Sequence, residues 1–314
     1  MDTPLSVAID CDPGVDDAVA LLLAFRSPQM RVAGVTTVAG NAGLEQVTAN
    51  ATAVLDLAGA PADLPVAAGA AGPIAGGERV PDEPVHGPGA LGGAVLPPSS
   101  RPVSDDAVGL LTRLARAQPG ELVLLALGPL TNVARLVERD PEAAGMLAGI
   151  VHMGGAAFVP GNVTPAAEFN TYCDPEAARI VLGSGLPVRL VPLDVTRRAV
   201  LHGADSDLLA ASDDPVTAAA GTMLRGLTDG HERRHGVREC RVHDATAVVA
   251  LLEPEGFGWQ RHPVDVECTG ELTRGALVTD VYRRTGRPAT VELALDVDPD
   301  AAVSCLLDAL EGPR

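Results

Sequence analysis

The chain has 314 residues, 46% of them hydrophobic, which is enough for one large α/β domain or two small ones with an ample core. A net charge of −18, with every one of the 23 basic residues an arginine, leaves no basic stripe to hold nucleic acid or an anionic membrane surface. Cys11, Cys173, Cys240, Cys268 and Cys305 are odd in number and scattered, so they fit neither a disulfide framework nor a zinc site and suggest a reducing cytoplasm. No apolar run reaches the roughly 18 residues of a membrane span, and no basic, then apolar, leader opens the chain; a soluble cytoplasmic protein is expected.

Leu5 to Ile9 is an apolar run of strand length and Ala18 to Phe25 a run of helix formers. Asp10, Asp12, Asp16 and Asp17 therefore sit at a strand-to-helix turn marked by Pro13 and Gly14. Two of these acids would suffice to cap the helix and face the positive end of its dipole. Four carboxylates in so short a stretch raise one another's pKa unless a cation joins them. A hard divalent ion is the simplest partner, Ca²⁺ before Mg²⁺ if further hydroxyl oxygens complete its shell.

Met30 to Val38 predicts a second strand, which places Asn41 just beyond a strand end; Leu44 to Ala58 has helical spacing, and Leu64 to Ala68 is a short strand. Gly69 to Pro102 is crowded with Gly and Pro and lacks periodicity, as functional loops do, and it carries His86. Asp105 and Asp106 open a helix through Ala117. Glu121 to Leu127 reads as a strand buried on both faces, followed by a turn and a helix to about Arg139, then a strand from Gly149 to Met153.

A second polar group, Asn162, Glu168 and Asn170 with Phe169 between the last two, falls in a loop from Ala156 to Cys173, and Asp174-Pro175 starts the next helix. Val188 to Leu193 predicts a strand, and helices are expected over 204–212 and 214–229. In the charged stretch Gly230 to Arg241, His231 and His235 would share a face if it is helical. His243 and Asp244 precede the apolar helix Ala245 to Leu252; Val264 to Gly270, Gly275 to Tyr282 and Ala289 to Val297 read as strands, with a hairpin-containing edge, before a helix from Ala301 to Leu310.

Alternation of strand and helix, with polar residues gathered after strands, predicts an open, mostly parallel Rossmann-like sheet flanked by helices, with an antiparallel addition near the C-terminus. No linker-like break appears, so residues 1–314 are expected to form a single domain.

The stretch Asp10-Cys-Asp-Pro-Gly-Val-Asp-Asp-Ala18 resembles the signature of the inosine-uridine nucleoside hydrolases. The resemblance extends through Thr36 to Asn41, Ala126 to Asn132, Met153 to Gly155, Gly161-Asn162, Ala167 to Asn170, Cys173 to Ala177 and Val242 to Asp244, in the family's order and over roughly residues 5 to 310. It implies Ca²⁺-dependent hydrolysis of the N-glycosidic bond of a ribonucleoside in a homodimer or homotetramer. The implied metal ligands are Asp12, Asp17, Asp244 and the carbonyl of Leu127, with Asp12 as general base. It further implies ribose contacts from Asp16, Asn41 and Asn170, and 5′-hydroxyl contacts from Asn162 and Glu168. Met153 would line the floor, with His243 as acid and His86 against the base. Where relatives carry Tyr, Gln or Arg near the base, this chain has His231 and His235; with aromatics at 2%, a pyrimidine or mixed preference is expected over a stacked-Trp purine mode.

Two rivals stand beside this. An aspartyl-nucleophile phosphatase would share the Asp10-Cys-Asp12 start but needs a lysine that the sequence lacks. A calcium- or nucleoside-binding homologue without turnover would keep the same residues.

Overall fold

The computed structural model describes residues 3–77, 79–80 and 85–312, so residues 78 and 81–84 of the Gly69–Pro102 stretch lie outside the described residues. Its strands are β1 (Leu5–Cys11), β2 (Met30–Thr37), β3 (Val66–Ala68), β4 (Val103–Ser104), β5 (Val123–Ala126), β6 (Gly149–Met153), β7 (Val188–Val191), β8 (Val200–His202), β9 (Glu239–Arg241), β10 (Phe257–His262), β11 (Val264–Val266), β12 (Leu277–Thr279) and β13 (Val291–Val297). One sheet runs β10-β13-β7-β6-β5-β1-β2-β3-β4. All its neighbours pair in parallel except β10, which runs antiparallel to β13. β1, β5 and β6 lie centrally, so the carboxyl ends that carry Asp12, Leu127 and Met153 emerge side by side.

The helices are α1 (Val15–Arg26), α2 (Leu44–Leu57), α3 (Ala107–Ala117), α4 (Thr131–Arg139), α5 (Pro141–Ala144), α6 (Phe169–Cys173), α7 (Pro175–Leu182), α8 (Leu193–Thr196), α9 (Gly203–Ala210), α10 (Pro215–His235), α11 (His243–Leu252) and α12 (Pro299–Glu311). Every residue of α1 from Val15 to Ala24 is buried, the mark of a helix enclosed on all sides. Leu21, Leu22 and Leu23 lose their whole surface there, roughly 1.5–3 kcal/mol each. That anchorage holds the turn at Asp12 to Asp17 in a fixed place.

Several elements depart from the sequence expectations. Helix α10 extends to His235, because left-handed Gly236 ends it, and it puts the His231 and His235 rings 4.5 Å apart. The expected loop from Ala156 to Cys173 contains α6, and the expected edge hairpin is a separate two-stranded sheet of β11 and β12. β13 lies inside the main sheet between β7 and β10, while β10, with Gly258, Trp259, Gln260 and Arg261, lacks an apolar pattern that would have announced it. β8 and β9 pair with each other as a small ribbon, which sets Arg241 opposite Val200 just before α11 begins. No helix among the described residues is long and apolar enough to cross a membrane.

Candidate active site

At the end of β1 the four acids part company. Asp10 turns into the scaffold, accepting from the Thr36 hydroxyl at 2.5 Å and from Asn132 Nδ2 at 2.8 Å, so it ties β1 to β2 and α4. Asp17 accepts from the backbone N–H of Asp12 and of Gly14, at 3.1 and 3.2 Å, which is the capping role expected at a helix start. With a third bond from Asn41 Nδ2 to Oδ2 at 3.0 Å, one lone-pair site, on Oδ1, is left for another partner. Asp16, Asp17 and Asp244, the last from the first turn of α11, bring carboxylate oxygens within 4.8 Å of one another.

Asp12 is 1% exposed, and its Oδ2 accepts from the Asn41 backbone N–H at 2.6 Å. Glycines shape its berth: a Cβ on Gly40 would stand 2.1 Å from Asp12 Oδ2, and one on Gly128 would stand 2.5 Å from Oδ1. Among the described residues, Asp12 Oδ1 and Asp16 Oδ1 are buried and accept no hydrogen bond. Leaving such atoms unmatched costs of order 1–3 kcal/mol each or more for charged groups, so the arrangement is one that a partner completes.

Burial, reinforced by neighbouring carboxylates, pushes Asp12 and Asp244 well above the ordinary carboxylate range. Burial first, then Asp16, raises Asp17 to about 6; burial raises Asp16 to about 6. A hard cation fits this set of oxygens and would reverse the shifts by supplying the missing opposite charge. The Leu127 carbonyl, already accepting from Asn170 Nδ2 at 2.6 Å, has a second lone pair to offer.

A cavity of about 230 Å³ opens beside this cluster, at the carboxyl ends of the strands. Asp16, Asn41, Leu127, Met153, Asn170 and Asp244 line one part of it. Asn41 is anchored by donating to Asp12 O and Asp17 Oδ2, at 3.2 and 3.0 Å. Asn170 Nδ2 also donates to Met153 O at 3.1 Å, which fixes its amide oxygen as the acceptor left over. Glu168, another wall residue, caps α6: its oxygens accept from the N–H groups of Gly155, Asn170 and Thr171 at 2.8–3.1 Å. Asn162 accepts from the Phe169 N–H at 2.9 Å, and both line the cavity.

His86, His231 and His243 also line the cavity. His86 reaches back to α1, where its Nδ1 accepts from the Val15 N–H at 3.1 Å and stands 3.9 Å from Asp16 Oδ1. His243 Nδ1 lies 2.8 Å from the Thr196 hydroxyl of α8. Burial, then the charges of Arg197 and Arg241, pushes His243 down to about 4, so its ring is neutral near pH 7. Asp12, Asp17 and His235 are not wall residues: the two acids are buried, and His235 stacks behind His231. Leu227, Arg234, Cys240 and Arg241 are wall residues that the sequence reading missed. Nearness to His243 in sequence was the only signal for the last two.

A parallel sheet with a polar pocket at its strand carboxyl ends, bordered by a buried carboxylate trio and by histidines, defines an α/β protein built around a small-molecule site. Comparison with known proteins narrows the class. The family model for inosine-uridine preferring nucleoside hydrolases matches residues 7–304. The chain is 40% identical over 309 residues, 98% of each sequence, to the pyrimidine-specific ribonucleoside hydrolase RihA of Salmonella gallinarum. It is 39% identical over 308 residues, again 98% of each, to the protein of that name in Citrobacter koseri.

Among solved structures, a plant nucleoside hydrolase, the PpNRh1 enzyme, superposes with a TM-score of 0.92 at 32% identity, covering 99% of this chain and 100% of that one. The purine-preferring ribonucleoside hydrolase from Gardnerella vaginalis gives 0.90 at 29% identity, covering 97% and 98%. The chain belongs to the inosine-uridine preferring nucleoside hydrolase family, and it is an enzyme of the ribonucleoside hydrolase type, an N-glycosidase.

Proposed function

We propose that the chain hydrolyses ribonucleosides to ribose and free base in a Ca²⁺-dependent reaction, with a preference for pyrimidine or mixed substrates. The observation that carries the metal and base assignments is the pair of buried, unmatched oxygens on Asp12 and Asp16 beside Asp17 and Asp244. Asp12, Asp17, Asp244 and the Leu127 carbonyl would hold the ion. Bound there, Ca²⁺ would lend Lewis acidity to water and oxygen coordination to the ribose diol.

Asp12, gripped by Asn41 and by the close approach of Gly40 and Gly128, is the base that takes a proton from the attacking water. Asp16, Asn41 and the free amide oxygen of Asn170 accept from ribose hydroxyls. The one lone-pair site that Glu168 retains, together with Asn162, receives the 5′-hydroxyl, and Met153 forms the floor. These contacts fix C1′ in line with the water and so lower the entropic share of the barrier. The carboxylates also favour the positive charge that develops on the sugar in an oxocarbenium-like transition state.

At the other end His243, neutral and held by Thr196, hydrogen-bonds the leaving base; His86 and Phe169 flank it, and His231 and His235 shape its far edge. The pyrimidine lean is supported by the low aromatic content and by the name of the RihA relatives. A cytoplasmic homodimer or homotetramer built of one-domain subunits accords with the family resemblance.

Free ribose assayed after incubation with uridine, cytidine, inosine and adenosine tests the proposal. Release is expected with calcium present, fastest from a pyrimidine nucleoside. Nucleoside-dependent melting without ribose would mark a binder instead, and phosphate release from a monoester would mark a phosphatase.

A further inference from the structure

The base-side wall contains a positive charge that neither the resemblance nor the chemistry above uses. Arg241 ends β9 and lines the cavity with Arg234, His231 and His243. Two bonds hold its guanidinium: Nη2 stands 2.9 Å from Glu239 Oε1, and Nη1 stands 3.1 Å from His231 Nε2. The His231 partners fix that ring's protonation. Val237 O, 2.9 Å from Nδ1, can only accept and Arg241 can only donate, so Nδ1 carries the proton and Nε2 offers its lone pair to Arg241.

His231 thereby becomes a positioning residue for Arg241, with the His235 ring packed against it at 4.5 Å. A guanidinium has five N–H donors, more than Glu239 and His231 together take up. Arg241 lines the cavity, whereas Glu239, which offsets part of its charge, is not a wall residue. Arg197 lies close behind, its guanidinium pKa pushed down by burial and then by the charge of Arg241, and with Arg234 and Arg241 both lining the cavity this wall of a protein with net charge −18 is locally cationic. A wall of that kind suits a group that becomes an anion.

We propose that Arg241, set in place by His231, is a catalytic residue that binds the departing base and stabilises the negative charge it acquires. This rests on the nucleoside hydrolase reading above. As the C1′–N bond breaks, its electron pair stays on the base nitrogen and delocalises onto the adjacent carbonyl oxygen, where Arg241 donates. The water oxygen bonds to C1′, one water proton passes to Asp12, and the released base anion takes a proton from solvent. Fixed charge aimed at developing charge is worth most in a site that excludes water.

The test compares two leaving groups in the calcium-loaded enzyme: uridine, whose base is a poor leaving group, and p-nitrophenyl riboside, whose phenolate needs little help. Arg241→Gln is expected to lower kcat on uridine at least 10-fold more than on p-nitrophenyl riboside, and Arg241→Lys to recover part of that gap. His231→Phe, which removes the lone pair that holds Arg241, should reproduce the gap in smaller measure. Equal losses on both substrates, or no loss on uridine, would overturn the role of Arg241 while leaving nucleoside hydrolysis intact. A wild-type enzyme that releases neither uracil nor p-nitrophenol overturns the underlying reading and this proposal with it. Should Arg241→Gln fail to fold, the Arg241→Lys and His231→Phe ratios decide on the same criterion.

Discussion

Asp12 is the residue on which most of the proposed chemistry converges, and its surroundings make it sensitive to single-atom changes. Asp12→Asn keeps the shape and the Asn41 contact but removes the proton acceptor, so kcat should fall by about 10²- to 10⁴-fold in a ribose-release assay. The same change replaces a buried carboxyl, whose pKa burial and its acidic neighbours push well up, by a neutral amide; without calcium the variant should melt no lower than the wild type. A normal turnover number would remove Asp12 from its role as base. Gly40→Ala is the complementary experiment, since its methyl would stand 2.1 Å from Asp12 Oδ2 and must displace the carboxylate. Loss of activity comparable to Asp12→Asn is expected with the overall fold retained by circular dichroism. The acids at 10, 12, 16 and 17 were legible as a cluster because they fall within one short stretch of sequence, whereas their division of labour was not. Nothing in the residue order reveals that Asp10 turns toward Thr36 and Asn132 while Asp16 and Asp17 meet Asp244.

Strand β6 places a histidine in the middle of the sheet. His152 is 1% exposed, donates from Nδ1 to the Ala126 carbonyl at 3.0 Å, and is pushed by burial down to about 4. An unfolded histidine titrates near 6.5, so below that pH the unfolded chain binds a proton that the folded one refuses. Stability from this group is complete above about pH 6.5 and is lost as pH falls toward 4, by up to about 3 kcal/mol at 1.36 kcal/mol per pKa unit. Urea midpoints measured from pH 7 to 4 should therefore decline less steeply for His152→Asn than for the wild type; identical slopes would contradict the account. Central elements such as β1, β5 and β6 were legible because strands buried on both faces are continuous apolar runs. Strand β10 was not, since an edge strand with one solvated face needs no such run, and its pairing with β13 is decided by a partner distant in sequence, Phe257 meeting Val297 and His262 meeting Val291. Helix α10 outran its expected end at residue 229: the chain continues through the charged stretch to left-handed Gly236, and this brings His231 to Arg241.

At the scale of the whole molecule, the site is assembled from opposite ends of the chain, with Asp16 and Asp17 from α1 and Asp244 from α11. The proposed ion, shared by these elements, would couple binding to folding. Free calcium at 100 times its dissociation constant should add about 2.7 kcal/mol of stability, seen as a higher melting temperature that chelation reverses. Asp244→Asn should lose most of that increment. The overall architecture and the family were readable from motifs strung along nearly the whole chain, but the base-side wall was not, because Leu227, Arg234, Cys240 and Arg241 meet there only through the pairing of β8 with β9 and the length of α10. The most direct measurement is a calcium titration of chelator-stripped enzyme in which metal binding and ribose release from uridine are followed together. The account predicts one ion per subunit and activity that rises in step with occupancy; full turnover by the stripped enzyme, or calcium binding unaffected by Asp17→Asn and Asp244→Asn, would contradict it.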